Sequence, residues 1–434
     1  MKLNSTDVAR RSRVAYTAQC AFAYCITLLI SDAYLAKLLT GMGISDGLIG
    51  IISSVTALSC LFGLTAIPFF RNRPNVKVPV IVAQVTSGCL FMLTFLLPFL
   101  GLSRAVNTAL VFLCIGGGYF ALQATSSVYY TWANAHVDKD RRARFSAAKE
   151  MISLLIGIVF TLGVGFLFDK MEAEGNVRGA FLMIAVVMLA LNGLSFICLM
   201  LIAPKLMLIA PKRPAGDRTE NSTVKQIMKR VLQNKNLRHV FILTILYNIG
   251  YYLTIGFLGT YKTNDLLLNV GTVQLINMAG NGVRMAISIP FGAYSDRKSY
   301  AKGYCLALAF SALGFLACGF ATPERKWCIV IFTVLSAVSL AGTNQNSFNM
   351  CYSYVPEQDL APAMAIGTGI SGLFGFLASL AGSRILSLVE QNGNQLFGLP
   401  LYGQQVLAFC SFFIMTIALL FGHFVVAKQS VMRQ

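Results

Sequence analysis

Stretches of twenty or more mostly apolar residues recur along this chain, broken by short polar turns. Each is long enough to cross a hydrocarbon layer of ~30 Å at ~1.5 Å rise per residue. The pattern predicts twelve such helices, at about 14–40, 48–70, 76–100, 106–134, 146–168, 179–203, 240–261, 272–291, 302–321, 326–354, 361–389 and 401–427. One long polar connection, 204–238, separates six from six. Within it Val224, Ile227, Met228, Val231 and Leu232 follow helical spacing, with Lys225, Lys229 and Arg230 on the other side, which predicts a short helix along the membrane surface. The expected organisation is therefore an N-terminal six-helix bundle (1–203), a cytoplasmic central loop with an amphipathic helix (204–238) and a C-terminal six-helix bundle (239–434): an all-α membrane protein of two pseudo-symmetric halves.

The polar positions inside these runs carry the functional information. In the eighth segment Gln274, Asn277, Asn281 and Arg284 recur at intervals of three, four and three residues, so one helix face holds all four. An arginine at the bilayer centre costs at least ~3 kcal/mol, so this face turns to other helices or to a watery cavity. Asp32 is the one acid well inside an apolar run. Such a carboxylate suits a coupling role, its proton affinity raised by burial and lowered by nearby cations. A structural ion pair is the competing reading for both charges.

Composition alters one inference and confirms another. The chain has 434 residues, is 56% hydrophobic and only 12% charged, and carries a formal charge of +18. That charge would suggest a nucleic-acid partner in a soluble protein, but its distribution argues otherwise. Of 35 Lys and Arg, 26 fall in the N-terminus, alternate loops and C-terminus, eight in or beside the opposite loops, and one, Arg284, lies inside. The positive-inside rule places both termini and the central loop in the cytoplasm, in a multi-pass protein of the cytoplasmic membrane with no nucleic-acid partner. No signal-peptide core with a cleavage site precedes the first run, so that run is expected to persist as a helix. The eleven cysteines stand singly without a close CxxC pair, and His136, His239 and His423 are far apart, so neither metal nor other cofactor is expected.

The two halves echo each other. Ile67-Pro68-Phe69 and Ile289-Pro290-Phe291 are 222 residues apart, the same offset relates Gln123 to Gln345, and the acidic turn at Asp138 and Asp140 has a counterpart at Glu357 and Asp359. These matches argue for parallel duplication, with a solute path between the halves. With two sets of six helices and Gly292-x-x-x-Asp296-Arg297 after the eighth segment, the chain resembles the major facilitator superfamily over essentially its whole length. That resemblance implies alternating access, with Gly292, Asp296 and Arg297 in a gating latch. The chain departs from the family signature at Ser299, Tyr300 and Ala301, and Phe70 to Pro74 lacks the glycine and the acid in the first half. Two antiporter-associated features are also missing: Phe112 stands where an arginine is usual four residues before Gly116, and the fifth segment has no Gly-Pro pair.

Tyr247, Asn248, Tyr251 and Tyr252 in the seventh segment, Gln123 in the fourth, Asn277, Asn281 and Arg284 in the eighth, and Gln345, Asn346 and Asn349 in the tenth form the candidate solute-binding set. Flat aromatic faces beside amides hold ligands with apolar CH faces and many hydroxyls, as sugars and glycosides have. Helix-to-helix tying by the amides is the alternative for any single residue. The expected function is secondary active transport of a small polar organic solute, a sugar or glycoside before others, by a monomer coupled to a proton or sodium gradient through Asp32. A proton-coupled drug or metabolite exporter is the alternative within transport, and a membrane-embedded enzyme or sensor the alternative outside it. No phosphate-cradling loop points to ATP, and one intramembrane acid does not supply an enzyme's acid–base pair.

Overall fold

The computed structural model describes residues 5–65, 76–134, 136–137, 142–203, 233–354, 357–396 and 399–428. The expected surface helix at 224–232, the Ile67-Pro68-Phe69 end and the turn at Asp138 and Asp140 lie outside them. The described chain is almost entirely helical: α1 (Ser5–Leu29), α2 (Asp32–Gly41), α3 (Asp46–Ser59), α4 (Lys77–Leu96), α5 (Arg104–Asn134), α6 (Arg142–Ala173), α7 (Val177–Leu201), α8 (Lys235–Ile255), α9 (Val270–Lys298), α10 (Tyr300–Gly319), α11 (Trp327–Tyr354), α12 (Glu357–Gln391) and α13 (Gly403–Phe421). Among the described residues the extended structure is one hairpin, Gln395 and Leu396 against Pro400 and Leu399.

Among the described residues, ten helices are long and apolar enough to span a membrane, and the pair α1–α2 adds an eleventh. Helix α9, with 29 residues, is long enough to span but more polar than these, because it carries the row from Gln274 to Arg284. Large apolar side chains stand exposed on these helices, Ile289 at 82% and Val159 at 73%, as lipid-facing residues do.

Two boundaries differ from the sequence expectation. The first segment is not one helix: α1 ends at Leu29, the chain bends by 41°, and α2 restarts at Asp32 with φ of 50°. Left-handed backbone costs a non-glycine residue ~1–2 kcal/mol, so the break is imposed by its surroundings. Tyr34 donates to the Thr161 carbonyl (3.2 Å), and the Tyr24 ring fills the space beside Gly157, bracing both sides of the break on α6. At the other boundary, Gly292, Asp296 and Arg297 lie in the last turns of α9 rather than in a loop, since the helix continues through Pro290 to Lys298. Ser299 then caps α10 by accepting from the Lys302 amide.

The chain divides into two compact units. The first comprises Met1–Ile44, Phe62–Arg218 and Asn269–Gln274. Its core gathers Tyr16, Val80, Val128, Tyr129, Trp132 and Leu199. The last carbonyls of α7 and the residues after it are satisfied by side chains: Lys77 donates to Met200 and Ile202, and Trp132 to Ala203. In the same unit Asp169 accepts from the Gly271 amide at 2.8 Å, capping the first turn of α9 from a different helix.

The second unit comprises Ser45–Leu61, Thr219–Leu268 and Leu275–Gln434, so α3 clusters with elements of the C-terminal half. Because lipid is as apolar as leucine, helices associate in membranes through close backbone approach, and small residues make it possible. A Cβ on Gly256 would stand 2.6 Å from the Gly50 carbonyl, and one on Gly372 would stand 2.3 Å from the Ala57 carbonyl. Ser379 on α12 adds a hydrogen bond to the Gly50 carbonyl (3.3 Å).

Candidate solute-binding site

A cavity of about 310 Å³ opens inside the second unit. Helix α8 supplies its aromatic wall, Tyr247, Asn248, Tyr251 and Tyr252. The i, i+4 spacing stacks the rings of Tyr247 and Tyr251 (5.7 Å, 22°), and Tyr252 meets Tyr251 edge-on (5.3 Å). Tyr304 on α10 closes the back, its ring edge-on to Tyr247 at 6.1 Å. Helix α11 adds Thr343, Asn344 and Ser347, helix α12 adds Thr368 and Ser371, and Ala57 and Cys60 complete the rim. Among the described residues lining it, none is charged.

Several side chains of the wall spend a proton on backbone carbonyls of their own helix. Thr244 donates to the Val240 carbonyl (2.8 Å), Thr368 to Met364 (2.8 Å), Ser371 to Gly367 (2.6 Å) and Asn248 to Thr244 (2.9 Å). Each hydroxyl thereby uses its single proton on its own helix and offers lone pairs to the cavity, as does the Asn248 amide oxygen. Thr343 likewise donates to Ser339 (3.1 Å) and lies beside the Tyr247 hydroxyl. These oxygens can accept from a ligand, while Asn344, Ser347 and the second N–H of Asn248 carry donors, so the wall suits a ligand that both donates and accepts, as a hydroxyl does.

Of the residues expected from sequence, the cavity gathers the four of α8. Arg284 is not in the wall but lies within electrostatic range of Tyr247, which brings the polar face of α9 close behind the aromatic one. Asn277 and Asn281 share that face and do not line the cavity. Gln345 turns to α9, donating to the Ser288 carbonyl at 3.1 Å, with its amide oxygen beside Gly292. Asn346 is fully buried, donates to the Gly342 carbonyl (2.8 Å) and packs on Gly303. Asn349 does not line the cavity, and Gln123 and Asp32 belong to the other unit. Asp296 is exposed and accepts from the Tyr300 hydroxyl, and Arg297 beside it is exposed. Sequence reasoning missed Thr244, Tyr304, Thr343, Thr368 and Ser371. The last two were legible: Met364, Gly367, Thr368, Ser371 and Gly372 recur at three- and four-residue intervals on one face of α12.

The sequence profile described as MFS/sugar transport protein matches residues 79–357. The chain belongs to this family. It is thus a major facilitator superfamily member, a transporter and not an enzyme, and its fold agrees with solved relatives. A point variant of the nucleoside transporter NupG superposes with a TM-score of 0.72 at 13% identity, covering 95% of this chain and 99% of that one. A bacterial homologue of the human lysosomal transporter Spinster, inward-facing and unoccupied, gives 0.69 at 13% identity over 99% and 98%. A D-xylose–proton symporter gives 0.61 at 13% identity over 93% and 96%. No curated protein sequence matches the chain.

Proposed function

We propose that this protein is a secondary active transporter of a small polyhydroxylated solute, a sugar or glycoside, working by alternating access in the cytoplasmic membrane with both termini inside. The observation that carries the reading is the uncharged, tyrosine-walled cavity with hydroxyls and amides in its lining. Sugar hydroxyls donate into lone pairs while the CH face of the ring stacks on Tyr251 or Tyr252. Cationic amines, which also donate, are disfavoured by the charge of Arg284 behind Tyr247. The sugar-transport description of the family agrees with this assignment.

In this reading the Tyr247, Asn248, Tyr251 and Tyr252 wall binds solute, while Gln123, Asn277, Asn281, Arg284, Gln345, Asn346 and Asn349 support the path or the helices around it. Asp32, held at a break between α1 and α2, carries the coupling proton or sodium ion, since broken helices in transporters place polar groups at membrane depth. Gly292, Asp296 and Arg297 at the end of α9 act in gating.

The test is reconstitution. Proteoliposomes with an imposed proton or sodium gradient should accumulate the sugars that raise the melting temperature of the purified protein. The Asp32→Asn form should still exchange solute without concentrating it. Thermal stabilisation by amines or apolar drugs, with none from any sugar, would replace this reading by the exporter.

A further inference from the structure

Helices α8 and α13 of the second unit pack against each other, and close contacts set an antiparallel register. A Cβ on Gly250 would stand 3.1 Å from Met415, and one on Gly422 would stand 3.3 Å from Leu243. Nearer the same end the His239 ring meets Phe421 edge-on at 6.1 Å. Beyond that contact a π-helical turn, Gly422–Val426, carries α13 on to Lys428. The register brings Lys428 level with the first turn of α8, where Lys235 and Arg238 stand. All three cations are exposed, and His239 beside them is half-buried.

The surface that leads up to these cations is apolar. On α13 the exposed Phe413, Ile417, Leu420 and Phe424 recur at intervals of four, three and four residues, and Lys428 closes the row with its ammonium 5.9 Å from the centre of the Phe424 ring. On α8 the exposed Ile242 follows Arg238 one turn on. A lone snorkelling lysine needs only water at its tip. Here three cations from two helices share one level, and packed helix axes lie ~8–10 Å apart, so three long side chains reach a common anion. The first turn of α8 is fixed in advance: Asn234 accepts from the Asn236 and Leu237 amides (3.1 and 3.3 Å) and donates to the Tyr354 carbonyl (3.0 Å). Arg238 adds a planar fork that pairs with two oxygens of one phosphate.

We propose that Lys235, Arg238 and Lys428 form a docking surface for an acidic phospholipid, whose phosphate pairs with the three cations while an acyl chain lies along the row from Phe413 to Phe424. Charge complementarity selects an anionic headgroup, and the apolar row continuous with the cations selects a lipid over a free anion. None of these residues lines the solute cavity, and the proposal holds whichever solute is carried. Each cation close to an anionic headgroup contributes a few-fold in affinity, so the three together favour acidic over neutral lipid by roughly tenfold or more.

Thermal melting of the full chain in a neutral detergent tests it with three probes: dioctanoyl phosphatidylglycerol, dioctanoyl phosphatidylcholine and inorganic phosphate. Phosphatidylglycerol should raise the melting temperature at concentrations roughly tenfold or more below those that phosphatidylcholine needs, and phosphate alone should leave it unchanged. Arg238→Gln combined with Lys428→Gln should bring the two lipids level, while Arg238→Lys, which keeps the charge, should retain the difference. Arg325→Gln with Lys326→Gln removes two charges before the first turn of α11, at the opposite end of the same unit, and should retain it too. Melting of the lipid-free variants checks that they are folded; should the double variant not fold, the single Arg238→Gln and Lys428→Gln forms carry the same test, each with a few-fold loss. Equal action of both lipids on the wild type, a difference that survives in the folded Arg238→Gln, Lys428→Gln form, or one lost equally in the opposite-end variant overturns the proposal. Stabilisation by phosphate alone to the level of phosphatidylglycerol assigns the cations to a free anion and overturns the lipid.

Discussion

Replacing Gly372 by alanine should wedge α12 away from the end of α3 inside the second unit. The new Cβ would sit 2.3 Å from the Ala57 carbonyl oxygen and 3.3 Å from the Cys60 Cβ. A relaxed carbon–oxygen contact is about 3.3 Å or more, so the backbones must part by roughly 1 Å, and a backbone carbonyl has no rotamer with which to escape. Overpacking of this kind costs ~1–3 kcal/mol, while alanine's helix propensity returns ~0.5–1, for a net loss of roughly 1–2 kcal/mol. Gly163 on α6 is the matched control, because a Cβ there meets nothing within 4 Å. The same chemical change at that site should be neutral or stabilising by up to ~1 kcal/mol. Melting of the purified protein in detergent should therefore rank Gly372→Ala below wild type and Gly163→Ala level with or above it. Since Gly372, Ala57 and Cys60 all border the cavity, sugar binding should weaken in the first variant and persist in the second. A Gly372→Ala protein that melts with the wild type and binds sugar equally well would refute the close packing of these helices.

Three further outcomes follow from individual contacts. Tyr251→Ala, which removes a stacked ring, should lower sugar affinity by roughly tenfold or more without a comparable loss of stability, whereas Tyr251→Phe should retain most of it; equilibrium binding of the sugar found by thermal shift decides. Asp169→Ala, which uncaps the first turn of α9, should destabilise by ~0.5–2 kcal/mol, with Asp169→Asn close to wild type; equal melting of all three would show the cap to be idle. Asp32→Gly should fold at least as well as wild type, because glycine adopts φ of 50° without strain, yet fail to concentrate solute; retained accumulation would remove Asp32 from coupling.

The sequence by itself determined the class of the molecule. Runs of twenty apolar residues admit one kind of structure in lipid, since every backbone amide must be satisfied within its own segment, and this made the spanning helices legible from spacing alone. It also identified the aromatic wall of the cavity, because Tyr247, Asn248, Tyr251 and Tyr252 cluster within a turn and a half of one helix and needed no partner to be recognised. Only the tertiary structure decided the rest. The break at Asp32 is set by tyrosines braced on α6, more than a hundred residues away. Gln345 and Asn346 carry the same amides in adjacent positions as Asn344, yet they turn to α9 and α10 while Asn344 faces the cavity, a sorting made by the neighbouring helices. Which wall hydroxyls keep a proton for a ligand is likewise invisible in a one-dimensional pattern, because it depends on where each proton is already spent. Residue type and helical period are local properties; the partner a polar group finds is not.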